Sequence, residues 1–403
     1  IYSTSIRMTR IARITLASLF AALPLWTFAQ EKLDEFNPVQ YAIISQTISP
    51  DARGASLGDA GAATDPDVNS QHWNPAKYPF TISRAGVALN YTPWLRQLVN
   101  DIDQAYIAGY YRIGEHSAVS GSLRYFSLGE VQTSDADNAM TVNPYEMAID
   151  ASYSLMLSEK FSIAATLRWI YSDLRYDYTS EDNSPASAFA ADLSAYYQTY
   201  PTIGSRECQL AFGLNISNIG SKITFSGSDA AEFLPTNLRL GTSLMVPIDE
   251  YNKFSIALDA NKFLVPTPPT MEQYTKETGL SDNQGYDQWV HEHYNNTSSI
   301  SGIFKSFSDS PEGFKGEMKE IQWSVGAEYT YNDKFSLRAG YHHQDPSQGN
   351  MKYFTVGAGF KMSVFSLDAG YVIATAKTNP LDQTLRLSLS FDMDGIKDLL
   401  HRR

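Results

Sequence analysis

Apolar and polar residues alternate with a period of two along most of this chain, and that alternation decides what the chain can fold into. In Met147-Ala-Ile-Asp-Ala-Ser-Tyr-Ser-Leu-Met-Leu157 one face carries Met147, Ile149, Ala151, Tyr153, Leu155 and Leu157, and the other carries Ala148, Asp150, Ser152 and Ser154. After Ser158-Glu159-Lys160 the pattern resumes, with Phe161, Ile163, Ala165, Leu167, Trp169 and Tyr171 set against Ser162, Thr166, Arg168 and Ser172. Successive side chains of a strand point to opposite faces, so each run puts one set in an apolar medium and the other in a polar one. Each run is also close to the roughly ten residues that a tilted strand needs to cross a bilayer.

Comparable runs lie near residues 82–91, 104–113, 117–128, 145–157, 161–175, 186–199, 207–217, 237–247, 253–264, 320–331, 335–344, 352–362, 364–375 and 383–391. Fourteen is an even number, as a closed bacterial barrel requires. The connections alternate as well. Gly114–His116, Ser158–Lys160, 200–206, Ile248–Asn252, Asn332–Lys334 and Ser363 are short. Those at 92–103, 129–144, 176–185, 218–236, 265–319, 345–351 and 376–382 are longer on the whole and rich in Asp, Asn, Ser and Pro. Short periplasmic turns and long outer loops are the mark of an outer-membrane barrel, whereas neither end of a soluble sandwich has reason to be systematically shorter. The expected fold is therefore all-β, a transmembrane antiparallel barrel of fourteen strands over residues 81–391. Its last strand ends on Phe391, an aromatic terminus of the kind that barrel-assembly machinery recognises, and a periplasmic tail spans 392–403.

The N-terminus reads as an export signal. Arg10 and Arg13 precede an apolar run from Ile14 to Phe28, too short for a spanning helix, and Thr27-Phe28-Ala29 supplies the small residues of a cleavage site. Cleavage is expected after Ala29, with Ile1 to Arg7 upstream of a plausible initiator, Met8. Losing residues 1–29 removes three arginines and no acid, moving the formal charge from −13 to −16, which makes nucleic acid a poor partner. The single cysteine, Cys208, has no internal partner and reads as a small apolar residue. Residues 30–80 are rich in Gly, Ala and Asp and do not alternate; with so little apolar surface to bury by themselves they are expected to plug the lumen or its periplasmic mouth.

Short motifs add little chemistry. Gly54-Ala-Ser56-Leu-Gly58 matches a nucleophile elbow but precedes every core strand, so no catalytic residue is assigned. His291-Glu292-His293 lacks a third metal ligand, Asp135-Ala-Asp137-Asn138 lacks the rest of a calcium loop, and the sequon at Asn295 is silent in a bacterial setting. No metal or cofactor is expected. The connection 265–319 is far beyond ordinary loop length and carries Tyr286, Trp289, Tyr294, Ile303, Phe304 and Phe307, candidates for gripping a partner or for folding the loop on its own barrel.

The stretch Asp51–Lys77, with Asp65-Pro-Asp-Val-Asn-Ser-Gln-His-Trp-Asn-Pro-Ala-Lys77 at its heart, resembles the hatch of the FadL-like barrels and, more closely, the PorV (LptO) family of the type IX secretion system. Ile216-Ser-Asn-Ile-Gly220 and Leu234-Pro-Thr-Asn-Leu-Arg-Leu-Gly241 extend the resemblance over the mature chain. It places the hatch motif on Arg53, Gly54, Gly58, Asp59, Gly61, Trp73, Asn74 and Pro75. It implies a carrier in the bacterial outer membrane that takes substrates by their C-terminal signal domains from the translocon barrel to the surface sortase or attachment complex. Contact with the translocon, membrane lipids and lipopolysaccharide follows from that role. Two rival readings are a FadL-like channel for hydrophobic small molecules and a lipopolysaccharide O-deacylase, the latter resting on Ser56 and His72.

Overall fold

The computed structural model describes residues 36–396, apart from 97–98, 100, 136–137, 176–183, 226–230 and 376–380. The expected signal peptide, residues 30–35 and residues 397–403 of the tail lie outside the described residues. Barrel strands are β1 (Ala85–Pro93), β2 (Asp103–Ile113), β3 (Ser117–Ser127), β6 (Tyr145–Ser158), β7 (Phe161–Asp173), β8 (Ala186–Thr199) and β11 (Gln209–Gly220), followed by β12 (Asn237–Pro247), β13 (Asn252–Phe263), β14 (Gln322–Tyr331), β15 (Phe335–His343), β16 (Tyr353–Lys361), β17 (Phe365–Ala374) and β18 (Leu385–Asp392). Two small hairpins, β4 (Val131–Asp135) with β5 (Asn138–Val142) and β9 (Thr202–Ile203) with β10 (Arg206–Glu207), ornament connections. Each barrel strand pairs antiparallel with its neighbours in the chain, and β1 closes on β18 from Gly86↔Asp392 to Tyr91↔Leu387. The ring has fourteen strands, with ends within a few residues of those read from the alternation.

The alternation resolves into an outside and an inside. On β1 Val87, Leu89 and Tyr91 point outward while Ala88, Asn90 and Thr92 are buried in the lumen. On β7 Ile163 and Leu167 are exposed and Ser162, Thr166 and Arg168 are buried. An apolar exterior around a polar interior is the arrangement that hydrocarbon demands, because the only water-like environment left for the polar set is the lumen. The inner wall also carries apolar residues where the plug meets it, among them Ala148, Ala164 and Ile170.

The connection between β13 and β14 is more ordered than its lack of alternation suggested. It holds α3 (Met271–Thr278), α4 (Asn283–Val290), a further helical turn His291–Asn295, α5 (Ser299–Lys305) and α6 (Phe314–Lys319). These helices are two turns or less, too short for a 3.6-residue periodicity to be counted, and they are set by local caps instead. Thr270 and Gln273 form a capping box on α3, and Asp282 and Ser298 cap α4 and α5.

Residues 36–84 run through the lumen. Asn37 bonds Ser347 O (3.1 Å) and Pro268 O (2.9 Å), and Ala42 N bonds Phe233 O (2.9 Å), all at the end with the long connections. From there the chain descends through α1 (Ala52–Ser56) and α2 (Ser70–Trp73) to a 3-10 turn at Pro75–Phe80 and enters β1 at the opposite, short-connection end. Of the two places expected for the plug, the lumen or its periplasmic mouth, the described residues occupy the lumen and reach from one end of the barrel to the other.

If the outer face of β7 sits in hydrocarbon, Leu167→Arg destabilises the barrel by roughly 2–4 kcal/mol, the depth-dependent cost of a cation on a lipid-facing strand, while Leu167→Ile costs less than about 1.5 kcal/mol. Urea unfolding from lipid vesicles measures both, and equal effects would mean that the face is not in lipid.

Candidate functional site

The plug is organised around Trp73. Asp51 caps α1 through Gly54 N (2.8 Å) and accepts a hydrogen bond from Trp73 Nε1 (2.6 Å), joining the two short helices. Gly54 and Gly61 lie against the indole so closely that a β-carbon would sit 2.4 Å and 2.2 Å from ring atoms. Arg239 lies over the same ring at 4.6 Å. Asn74 then ties three segments: its Nδ2 donates to Ala62 O (3.0 Å) and to Ala195 O of β8 (2.9 Å), while its Oδ1 accepts from Ala76 N (3.1 Å). Pro75 opens the 3-10 turn where its missing N–H costs nothing, and its carbonyl accepts from Ser154 of β6 (2.8 Å). Lys77 is wholly buried, donating to Gly61 O (2.9 Å) and Thr64 Oγ1 (3.2 Å).

The wall is cut to receive this plug. Gly326 of β14 and Gly340 of β15 pair directly across strands and face Leu57 and Gly58, where a β-carbon would come within 2.6 Å and 2.1 Å of plug atoms. Gly357 of β16 pairs with Gly370 of β17 beneath Ser56 and Ala52, and Gly213 of β11 pairs with Gly241 of β12 beneath Ala62. Strand glycines mark close backbone approach. Gly58 needs its own freedom, with φ of +72° and the Tyr341 backbone 2.7 Å from where a β-carbon would lie.

Charge locks the plug to the wall. Arg53 reaches Glu328 of β14 (3.1 Å) and Asp67 (2.8 Å); Glu328 is shared with Arg338 of β15, which also holds Asp368 of β17 (2.6 Å). Asp59 accepts from the Tyr353 hydroxyl, and Asp259 of β13 accepts from Gly61 N and Ala62 N (2.8 and 2.9 Å). All eight hatch residues read from the sequence lie in this region, and Gly54 and Gly61 each touch Trp73. The wall glycines and the acceptors on the strands were missed; glycines recurring at mid-strand were their signal. The two further motifs also meet: Asn218, at φ of +59° in a bulge on β11, takes Arg168 Nη1 (2.5 Å) on its Oδ1, bonds Asp192 (2.8 Å) through its backbone N–H, and gives its Nδ2 to Pro235 O (3.1 Å).

Ser56 donates to Arg53 O (2.9 Å), and His72 Nδ1 faces Arg124 (3.0 Å); no hydrogen bond joins the two. His291 and His293 sit on a helical turn, and His293 Nδ1 lies 2.9 Å from Trp289 O. The Asp135–Asn138 stretch falls partly outside the described residues.

At the other candidate region, the loop residues divide. Trp289 and Tyr286 pack around Tyr274 (5.8 and 5.9 Å between ring centroids), and Tyr294 meets Phe233 (5.7 Å). Ile303 is half-buried. Phe304 and Phe307 are exposed, and so are three residues that the sequence did not single out, Ile300, Phe314 and Met318. Lys262 at the top of β13 fastens this loop through Glu317 (2.9 Å) and Glu320, and Thr267 bonds Glu320 (2.7 Å) and Asp309 (3.1 Å).

Burial pushes the Asp309 carboxyl up to about 7. With its folded value raised above that of a free carboxyl, this group favours the docked loop fully below about pH 4 and loses that contribution as pH rises through 7. Amide exchange in residues 306–320 accordingly quickens between about pH 6 and 8 by more than its intrinsic base-catalysed rise, and Asp309→Asn abolishes the excess. Equal slopes in both proteins would exclude Asp309 as the titrating group. Separately, Gly61→Val, with no room beside Trp73, costs about 1–3 kcal/mol and raises exchange across 51–78; unchanged unfolding would show that the indole can move aside.

Residues 31–270 match the family described as Type IX secretion system protein PorV. No curated protein matches the sequence. Among solved structures, the Pseudomonas putida toluene transporter TodX superposes with a TM-score of 0.50 at 11% identity, covering 89% of this chain and 99% of that one. The Ralstonia pickettii toluene transporter TbuX gives 0.43 at 12%, with 89% and 97% covered, and a Pseudomonas aeruginosa FadL homologue gives 0.40 at 12%, with 86% and 99% covered. At such identities the likeness to TodX is one of fold.

Proposed function

The chain belongs to the PorV family of type IX secretion system proteins, a barrel of the bacterial outer membrane, and from that premise we propose that it is a carrier. It binds the C-terminal signal domain of secreted substrates at the translocon barrel and delivers them to the surface sortase or attachment complex. The observation that carries this reading is the outer loop between β13 and β14, where Ile300 and Phe304 on α5, Phe307 just after it, and Phe314 and Met318 on α6 are held out to solvent. Exposed apolar side chains on a fixed support are what a protein partner would cover. Ion pairs from Lys262 hold the end of the loop that contains α6 in place, so little ordering entropy is lost on binding.

The lumen supports the same division of labour. Trp73, the wall glycines and the Arg53–Glu328–Arg338 network fill and fasten the space that an open channel would need. Family and fold favour secretion or transport over bond-making, and the separation of Ser56 from His72 in the hydrogen-bond network favours it too. Neighbouring barrels of the translocon, lipids and lipopolysaccharide would meet the apolar outer faces of the strands.

Cross-linked capture from intact outer membranes tests this. Wild type co-purifies proteins that carry the signal domain, Phe304→Ser with Phe307→Ser reduces the yield by at least about tenfold, the loss of roughly 1.4 kcal/mol of binding, and deletion of residues 275–310 removes it. Cargo absent from the wild-type capture would overturn the carrier role; cargo unchanged by either variant would move the contact off this loop.

A further inference from the structure

Between the plug and the long connections the lumen keeps a cavity of about 220 Å³, room for a few waters or one small organic molecule. Its lining includes Arg168, Arg239 and Arg386 against one carboxylate, Asp59. Arg168 is neutralised by Asp150 (3.2 Å) and Asp192 (2.8 Å). Arg239 has a single hydrogen bond, Nε to Asn261 (2.8 Å), and no carboxylate within ion-pair distance among the described residues.

Arg386 is the anomaly. It is 2% exposed, yet among the described residues its guanidinium has neither a hydrogen bond nor an ion pair, its Nε is buried without a partner, and its one ring contact is Trp94 at 5.9 Å. The wall beside it repeats the pattern. Thr92 pairs with Gln104 across β1 and β2, one residue outward of the Tyr91↔Leu387 pair, which brings both to the level of Arg386. Thr92 Oγ1 and both amide atoms of Gln104 are also buried without partners. A guanidinium removed from water without a counter-charge is among the costliest groups to bury, and orphaned polar atoms gathered at one level imply a missing partner.

We propose that this cavity binds a small oxyanion, a carboxylate or phosphate on a molecule of metabolite size, anchored by Arg386. The planar fork of a guanidinium matches two oxygens of such a group. Arg239 adds a second cation to the chamber, and Trp94, Met351, Tyr353 and Leu381 give the body of the ligand an apolar wall. Asp59 has one oxygen engaged by Tyr353 and the other without a donor, so it accepts a hydroxyl of the ligand and does not cancel the anchor.

Calorimetric titration of the full-length barrel in a neutral, low-chloride detergent solution tests the site, with inorganic phosphate in one arm and benzoate in the other. At least one binds once per chain, and which one binds identifies the class. Arg386→Gln weakens it by at least about tenfold, Arg386→Lys restores part by returning charge without the fork, and Arg206→Gln, exposed at the short-connection end, changes nothing. Should Arg386→Gln fail to fold, Arg239→Gln provides the comparison. Neither probe binding to wild type, or binding unaltered in Arg386→Gln and Arg239→Gln, overturns the proposal.

Discussion

Closure of β1 on β18 is the contact on which everything else rests. A strand in hydrocarbon has no water to satisfy its backbone, so a sheet edge there is not tolerable and the fourteen strands have to form a ring. The ring turns one half of every alternating run outward and encloses the other, and the enclosed half is polar. The interior must then be reconciled with a lumen wide enough to leave voids, and the N-terminal segment does this by supplying donors, acceptors and buried rings, Trp73 and Tyr78 among them.

How that filling is achieved is more economical than a packed core. The plug has little apolar surface, and its position is set by matching backbone to backbone: carbonyls and amides of residues 51–78 lie on mid-strand glycines, and side chains such as Asp259, Ser154 and Asn74 reach across to close the remaining bonds. Arg53 and Arg338 share Glu328, so a plug cation and a wall cation are balanced by one carboxylate, with Asp67 and Asp368 completing the set. Removing either arginine would leave a buried carboxylate uncompensated. Arg386 departs furthest from that logic: among the described residues it has neither a counter-charge nor a hydrogen bond, and the chamber lies around it.

Much of this was legible in the residue order. Period two is a local, repeated signal, and it located the strands and their faces. The plug was legible by elimination, since residues 30–80 do not alternate. Its interior was not. Gly326, Gly340, Gly357 and Gly370 look in sequence like weak strand residues, and only the register that pairs them makes them a socket. Arg386 looks in sequence like any polar residue of an alternating strand, set between Leu385 and Leu387; its isolation is a property of distant strands. In the outer loop, aromatic composition pointed to the right region but could not tell Trp289, packed on Tyr274, from Phe304, left in solvent, because that choice is made by helices too short to show a period.

The path of residues 36–84 bears on how the molecule can be put together. Asn37 is bonded at one mouth of the cylinder and Ala85 starts the wall at the other, with Trp73 wedged between them. A free chain end could not be pushed the length of a cylinder so tightly fitted to it. The seam between first and last strands therefore zips around a segment already laid in place, which makes assembly resemble wrapping a sheet about a rod, with the rod belonging to the same chain.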